Sequence, residues 1–140
     1  MGVLKSVKNF LTGGAAEVKI EIKNHEIRED EPLQLVISVT AKEETIFIKE
    51  LYLKIKAEER SANTNNLHSA QKSIERDIQI NGGETKQWET SIEIPLSAPS
   101  TFLGRHSSLL WYALAGLDMS GVDPSSGWEK FIVDRPVSYA

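Results

Sequence analysis

Three histidines, His25, His68 and His106, are the residues of this chain best suited to proton transfer or metal binding near neutral pH. His106 stands directly before Ser107 and Ser108, which makes it the best candidate for a base beside a nucleophile. That pairing lacks the G-x-S-x-G elbow that exposes a reactive serine on a strand-to-helix turn, and neighbours in sequence rarely form a productive triad. His25 and His68 lie in polar stretches and read as solvated surface residues. No H-E-x-x-H spacing is present, and without any cysteine there is no thiolate ligand or thiol nucleophile. "DMSGVD" brings Asp118, Ser120 and Asp123 together but lacks the further oxygen ligands and distal glutamate of a calcium loop, so it reads as a turn. No glycine loop of the phosphate-cradling kind follows a strand. "MGVLKS" matches the short N-myristoylation pattern through Gly2 and Ser6; packing of this segment on protein is the preferred reading. The expectation is a protein with no catalytic residues, no metal and no cofactor.

The residues 94–118, "IPLSAPSTFLGRHSSLLWYALAGLD", carry this argument furthest. Pro95 ends one strand, while Pro99 and Gly104 shape the connection with restricted and permissive backbone positions in turn. "SLLWYALAGL" is then apolar on both faces, the mark of a central strand covered on both sides. The serines and His106 are explained as the polar loop that feeds it.

The surrounding elements follow from periodicity. "VLKSVKNFL" sets Val3, Leu4, Val7, Phe10 and Leu11 at helical spacing, so residues 1–12 read as a short amphipathic helix ended by "TGG". From Ala16 the period becomes two: Val18, Ile20 and Ile22 face inward, then Leu33, Leu35, Ile37 and Val39. In "IFIKELYLKIKAEE" the apolar phase moves from Ile46 and Ile48 to Leu51, Leu53 and Ile55, which predicts a bulge or a crossing between sheets near Lys49 and Glu50. Residues 60–72, rich in asparagine and serine, read as a long flexible loop. "NGGET" between two alternating strands reads as a hairpin turn, with Trp88, Ile92 and Ile94 on one face of the second strand. "WEKFIVDR" is the final strand before Pro136.

Seven strand candidates separated by turns predict an all-β chain, an antiparallel immunoglobulin-like β-sandwich over residues 16–135 with the helix in front, forming one domain across residues 1–140. At 140 residues with 40% hydrophobic and 26% charged content, the chain can bury a sizeable core. A net charge of −4 with lysines and glutamates intermixed argues against a nucleic-acid partner. No apolar run approaches the roughly 20 residues of a spanning helix. Lys5 and Lys8 interrupt any signal-peptide core, which predicts a soluble, cytoplasmic protein.

The segments "PLSAPSTFLG", "LLWYALAGLD" and "WEKFIV", together with "EPLQLVISVTAKEETIFIKELYLKIKAEE", resemble the N-terminal lobe of the arrestin superfamily. Within it, "LKSVKNFLTGGAAEVKIEI" is most similar to bacterial sporulation-control proteins of arrestin type. The resemblance covers most of the chain and lies in pattern. It implies an arrestin-type sandwich acting as an adaptor or scaffold, one lobe where such proteins usually have two, either as a single-lobe relative or as one lobe of a larger protein.

The resulting expectation is a non-enzymatic interaction or regulatory module that binds a protein partner or a second copy of itself. Binding would run through strand edges, through residues 60–72 and 96–108, or through the N-terminal helix. Docking of that helix on protein is preferred over peripheral membrane contact, because its polar face carries only two lysines. The alternative is a ligand- or carbohydrate-binding sandwich, which requires exposed aromatic side chains; the patterns around Trp88, Trp111 and Trp128 suggest burial instead.

Overall fold

The computed structural model describes residues 15–121 and 123–135. The expected helix over residues 1–12 lies outside them. Nine strands follow in order: β1 (Ala16–Ile22), β2 (Glu26–Ile27), β3 (Leu33–Ala41), β4 (Ile46–Arg60), β5 (Thr64–Ile80), β6 (Thr85–Ile92), β7 (Phe102–Leu103), β8 (Ser108–Asp118) and β9 (Glu129–Val133). They form two sheets, one ordered β1-β3-β6 and the other β2-β9-β8-β4-β5, with β7 on the edge of β8. All neighbours pair antiparallel except β2 with β9.

The alternation legible in the sequence makes the core. Leu33, Leu35, Ile37, Val39 and Ala41 on β3 point inward, opposite Leu51, Leu53, Ile55 and Ala57 on β4 and the odd-numbered residues of β8 from Leu109 to Leu117. On β3 and β4 most intervening residues, such as Gln34, Ser38, Lys54 and Lys56, are charged or polar and face the surface, as a pleated strand with one wet face requires.

The phase change in β4 falls where expected. Ile46 and Ile48 are buried, Lys49 is exposed, and from Leu51 to Ala57 the odd positions are buried. The ladder to β5 passes from Ile48 opposite Ile78 to Glu50 opposite Arg76, and Asp77, between these pairs, takes the left-handed φ of 54°. The register is unchanged across this point; the two shifts of the ladder lie beyond it, after Leu51 and after Ala57, and leave Ile74 and Leu67 as extra residues on β5.

Two expectations are corrected. Residues 60–72 are not a loop: a tight turn at 61–63, where the Ser61 amide donates to the Asn63 carbonyl (3.0 Å), reverses β4 directly into the 17-residue β5. The first half of β5 is an edge strand exposed on most of its residues, so its cohesion comes from the backbone ladder and its composition stays polar. "NGGET" does form a turn, with the Glu84 amide donating to the Asn81 carbonyl (2.9 Å), but it does not close a hairpin. β5 pairs with β4 and β6 with β3, in different sheets. Gly83 at the third turn position has φ +82° while Gly82 is not left-handed, as in a type II turn, which splays the flanking strands where a primed turn would hold them together.

β8 lies between β4 on one side and β9 and β7 on the other, so its central place is as predicted. Its inner face is fully buried. Among the described residues its outer face is covered by side chains of the same sheet and not by a further layer: Leu110 and Gly116 are buried, Tyr112 and Leu114 half-buried. Trp111, fully buried, anchors the inner face with its ring 5.9 Å from that of Phe131. Trp111→Ala is expected to destabilise the domain by about 3–5 kcal/mol in urea unfolding, the range for emptying the site of a large buried aromatic.

Candidate interaction surface

The loop of residues 93–107 is fastened at several points. The Trp111 indole Nε1 donates to the Pro99 carbonyl (2.8 Å), tying the loop to the core. The Thr101 amide donates to the Val133 carbonyl (2.8 Å), and the Val133 amide donates to Thr101 Oγ1 (2.9 Å). The most unusual fastening is Arg135, a buried guanidinium with no carboxylate in ion-pair range among the described residues. Its Nη2 donates to the Ile94 carbonyl (2.8 Å), its Nη1 to the Pro95 carbonyl and its Nε to the Glu29 carbonyl (2.6 Å). A planar fork of donors fits three backbone acceptors converging from two segments, and Glu29 meets it from a left-handed turn of φ 48°.

Held in this way, the loop turns apolar side chains outward. Leu96 is 66% exposed, Phe102 44% and Leu103 80%. β7 pairs Phe102 with Leu109 and Leu103 with Ser108, so these residues sit on a sheet edge and not on an unsupported coil. Gly104 closes the tip, its amide donating to the Ser107 carbonyl (2.7 Å).

His106 is exposed at that tip, and no hydrogen bond joins it to Ser107 or Ser108 among the described residues. His25 is exposed as well. His68 departs from its solvated reading. It is half-buried, its ring lies 5.6 Å from that of Trp111, and its Nε2 is shielded without a hydrogen-bond partner. It sits opposite Ala57, on the inward side of β5, and the small alanine leaves space for the imidazole beside the indole. In the "DMSGVD" segment the Asp123 carboxylate accepts from the Met119 amide (3.3 Å), which makes it a cap within its own turn.

The outer face of the larger sheet carries a second feature. Lys56 lies 4.3 Å from the centroid of Trp128 and 5.6 Å from that of Tyr112, and its Nζ is 3.2 Å from Glu58. Glu58 also accepts from Arg60 Nε (2.7 Å). The Arg60 hydrogen bond, with Lys56 beside it, holds the Glu58 carboxyl below the ordinary carboxylate range against the opposing effect of burial. A shallow groove of about 400 Å³ beside this cluster is lined by Lys54, Lys56, Asn66, Ser69, Gln71 and Trp128. Trp128 is therefore not buried as its pattern suggested: it is 40% exposed, preceding β9 after Gly127, whose φ is 75°. Trp88 is half-buried and donates to Glu75 (2.9 Å), and only Trp111 of the three is fully buried.

Two mostly antiparallel sheets facing one core define an immunoglobulin-like sandwich of arrestin type. Residues 4–124 match the sequence profile of the family described as SpoOM protein (Spo0M), and the chain belongs to that family. Its fold is similar to the crystal structure of Spo0M, a sporulation control protein from Bacillus subtilis, with a TM-score of 0.69 and 19% identity. The match covers 86% of this chain and 50% of that one, so this chain spans half the length of that protein. No curated protein sequence matches it.

Arg135→Met is expected to cost about 1–3 kcal/mol, since the buried Ile94 carbonyl is left without a donor, while the Pro95 carbonyl keeps the Ala98 amide (2.9 Å). Arg135→Lys should recover only part of this, because an ammonium lacks the planar fork that meets the three carbonyls at once. Urea unfolding measures both. A pH series tests Glu58. A lowered folded-state pKa contributes stability that is present above the unfolded value and lost as pH falls through the folded one. Wild type should thus lose more stability than Glu58→Gln on acidification from pH 6 to pH 3, read by thermal unfolding.

Proposed function

We propose that this chain is a non-enzymatic protein-interaction module of arrestin-like type, cytoplasmic, acting in the regulation of sporulation. Family membership supports the biological setting, since the B. subtilis relative is a sporulation control protein. The observation that carries the interaction reading is the loop of residues 96–108. It is strapped to the core through Trp111, Thr101 and Arg135, yet shows Leu96, Phe102 and Leu103 to solvent. Ordering a loop in advance lowers the entropy lost on association, and clustered exposed apolar side chains are what a protein partner can desolvate. No helix long and apolar enough to cross a membrane is present among the described residues.

A second reading, a carbohydrate- or other ligand-binding sandwich, is favoured by exposed Trp128 beside the groove with Lys54, Asn66 and Gln71. It ranks lower because Lys56 already occupies a face of that indole. The paired substitution Phe102→Ser with Leu103→Ser should reduce partner capture in sporulating cells at least tenfold and leave the melting temperature within about 2 °C, as surface changes outside a core usually do. Capture unaffected by the pair, together with glycan-dependent quenching of tryptophan fluorescence lost in Trp128→Ala, would favour the ligand reading.

A further inference from the structure

At the opposite end of the sandwich from that loop, the turn between β3 and β4 borders an apolar groove of about 620 Å³. Its lining includes Ala15, Thr45, Ile46, Phe47 and Met119, with Glu43 and Glu44 on its rim. A neighbouring groove of about 350 Å³ shares Phe47 and Ser120 with it and adds Ile48 and Ile78. Phe47 stands between them 68% exposed, while Ile46 and Ile48 on either side of it are buried. The wall is stiff. The turn at Gly82 approaches so closely that a Cβ there would lie 2.2 Å from the Glu43 carbonyl oxygen, and the Gly83 amide donates to the Ala41 carbonyl (2.8 Å).

We propose that this groove is the docking site of the chain's own first fourteen residues, which seat Val7, Phe10 and Leu11 against Phe47, Ile46 and Met119. The chain itself leads there. Ala15 lines the groove, and its carbonyl accepts from the Lys42 amide (3.1 Å), so the preceding segment starts at the site and not elsewhere on the surface. Leu11 is four residues from Ala15, which limits its distance to about 14 Å at full extension. Tethering at that range gives an effective concentration in the millimolar range, enough for a contact that a free peptide would not hold. The segment supplies five apolar side chains at one helical spacing, and a nine-residue helix over residues 3–11 would be about 14 Å long. Charge agrees as well: residues 1–14 contain Lys5 and Lys8 and no acid, and the rim presents exposed Glu43 and Glu44 against one half-buried cation, Lys42.

The chain has no cysteine, so engineered pairs report cleanly. In the full-length protein, Leu11→Cys combined with Phe47→Cys should form a disulfide within one chain under mild oxidation. Leu11→Cys combined with Gln71→Cys, about eight strand residues or 26 Å further along β5, should form none. A disulfide found only between chains would overturn the proposal in favour of a second copy's segment, and no disulfide in either pair would overturn it outright. The two methionines, Met1 and Met119, give a second readout that needs no cross-link. With methyl-labelled methionine, Phe10→Asp should shift the Met119 resonance. An unmoved Met119 resonance, alone or with Phe10-dependent binding to vesicles containing anionic phosphatidylglycerol, would overturn the proposal, the latter case assigning the segment to a lipid surface.

Discussion

An eleven-pair ladder between β4 and β8, from Glu50 opposite Asp118 to Arg60 opposite Ser108 with no shift of register, is the constraint from which the other packing follows. It sets large residues beside small ones on the inner face: Trp111 beside Ala57, Ile55 beside Ala113, Leu53 beside Ala115. The fully buried indole fits because its cross-strand neighbour is an alanine. The same register places Tyr52 opposite Gly116 on the outer face, where a Cβ would lie 2.4 Å from the tyrosine ring. A slip of one residue would turn the inner set outward and bring Tyr52 against a side chain, so both faces select one alignment. The irregularities are confined to the other neighbour of β4. All the β4 register shifts occur against β5, the edge strand, which can bend without disturbing the core.

The interaction loop inherits its shape from that ladder. Because β8 is fixed by β4, Trp111 is fixed, and its Nε1 reaches Pro99. β9 pairs with β8 at the same place, Phe131 opposite Trp111, and so delivers Arg135 to the carbonyls of residues 94 and 95. The loop is held from beneath by the indole and from its start by the guanidinium. What remains free is the set of side chains that neither anchor needs, Leu96, Phe102 and Leu103. Exposure of apolar residues there is a consequence of where the backbone is tied, and the ties are polar contacts made by the core.

How much of this was legible in the sequence depended on whether side-chain type or backbone pairing decides an element. In β1, β3 and the later part of β4, burial decides, and the inward period of two reports it directly, most clearly where Val18 and Ile55 stand between charged neighbours. The phase change near Lys49 was legible for the same reason. In residues 64–72 pairing decides, and an exposed edge strand made of Asn, Ser and Gln is indistinguishable by composition from a loop. The turn at residues 81–84 was recognisable as a turn, but which sheet each flanking strand joins is set by pairing with β4 and β3, partners remote from the turn that its composition does not encode. Arg135 was missed because a single arginine near a strand end reads as solvated; its acceptors are backbone carbonyls 40 and 106 residues away, invisible to any side-chain pattern. Trp128 was read as buried with its strand, yet it sits one residue ahead of β9, where the turn at Gly127 lifts it onto the outer face.

The two apolar features of the surface lie at opposite ends of one strand. The loop of residues 96–108 enters β8 at Ser108, and the groove lined by Met119 and Ser120 begins where β8 ends at Asp118. Eleven residues at about 3.3 Å each separate them by roughly 35 Å, so an occupant of one cannot touch an occupant of the other. A single partner would have to be as long as the sandwich to cover both. β8 joins the two ends, and its buried inner face and unbroken register against β4 hold their separation fixed. The arrangement therefore favours two independent contacts on one rigid spacer, in which the distance between them is set by the length of a strand.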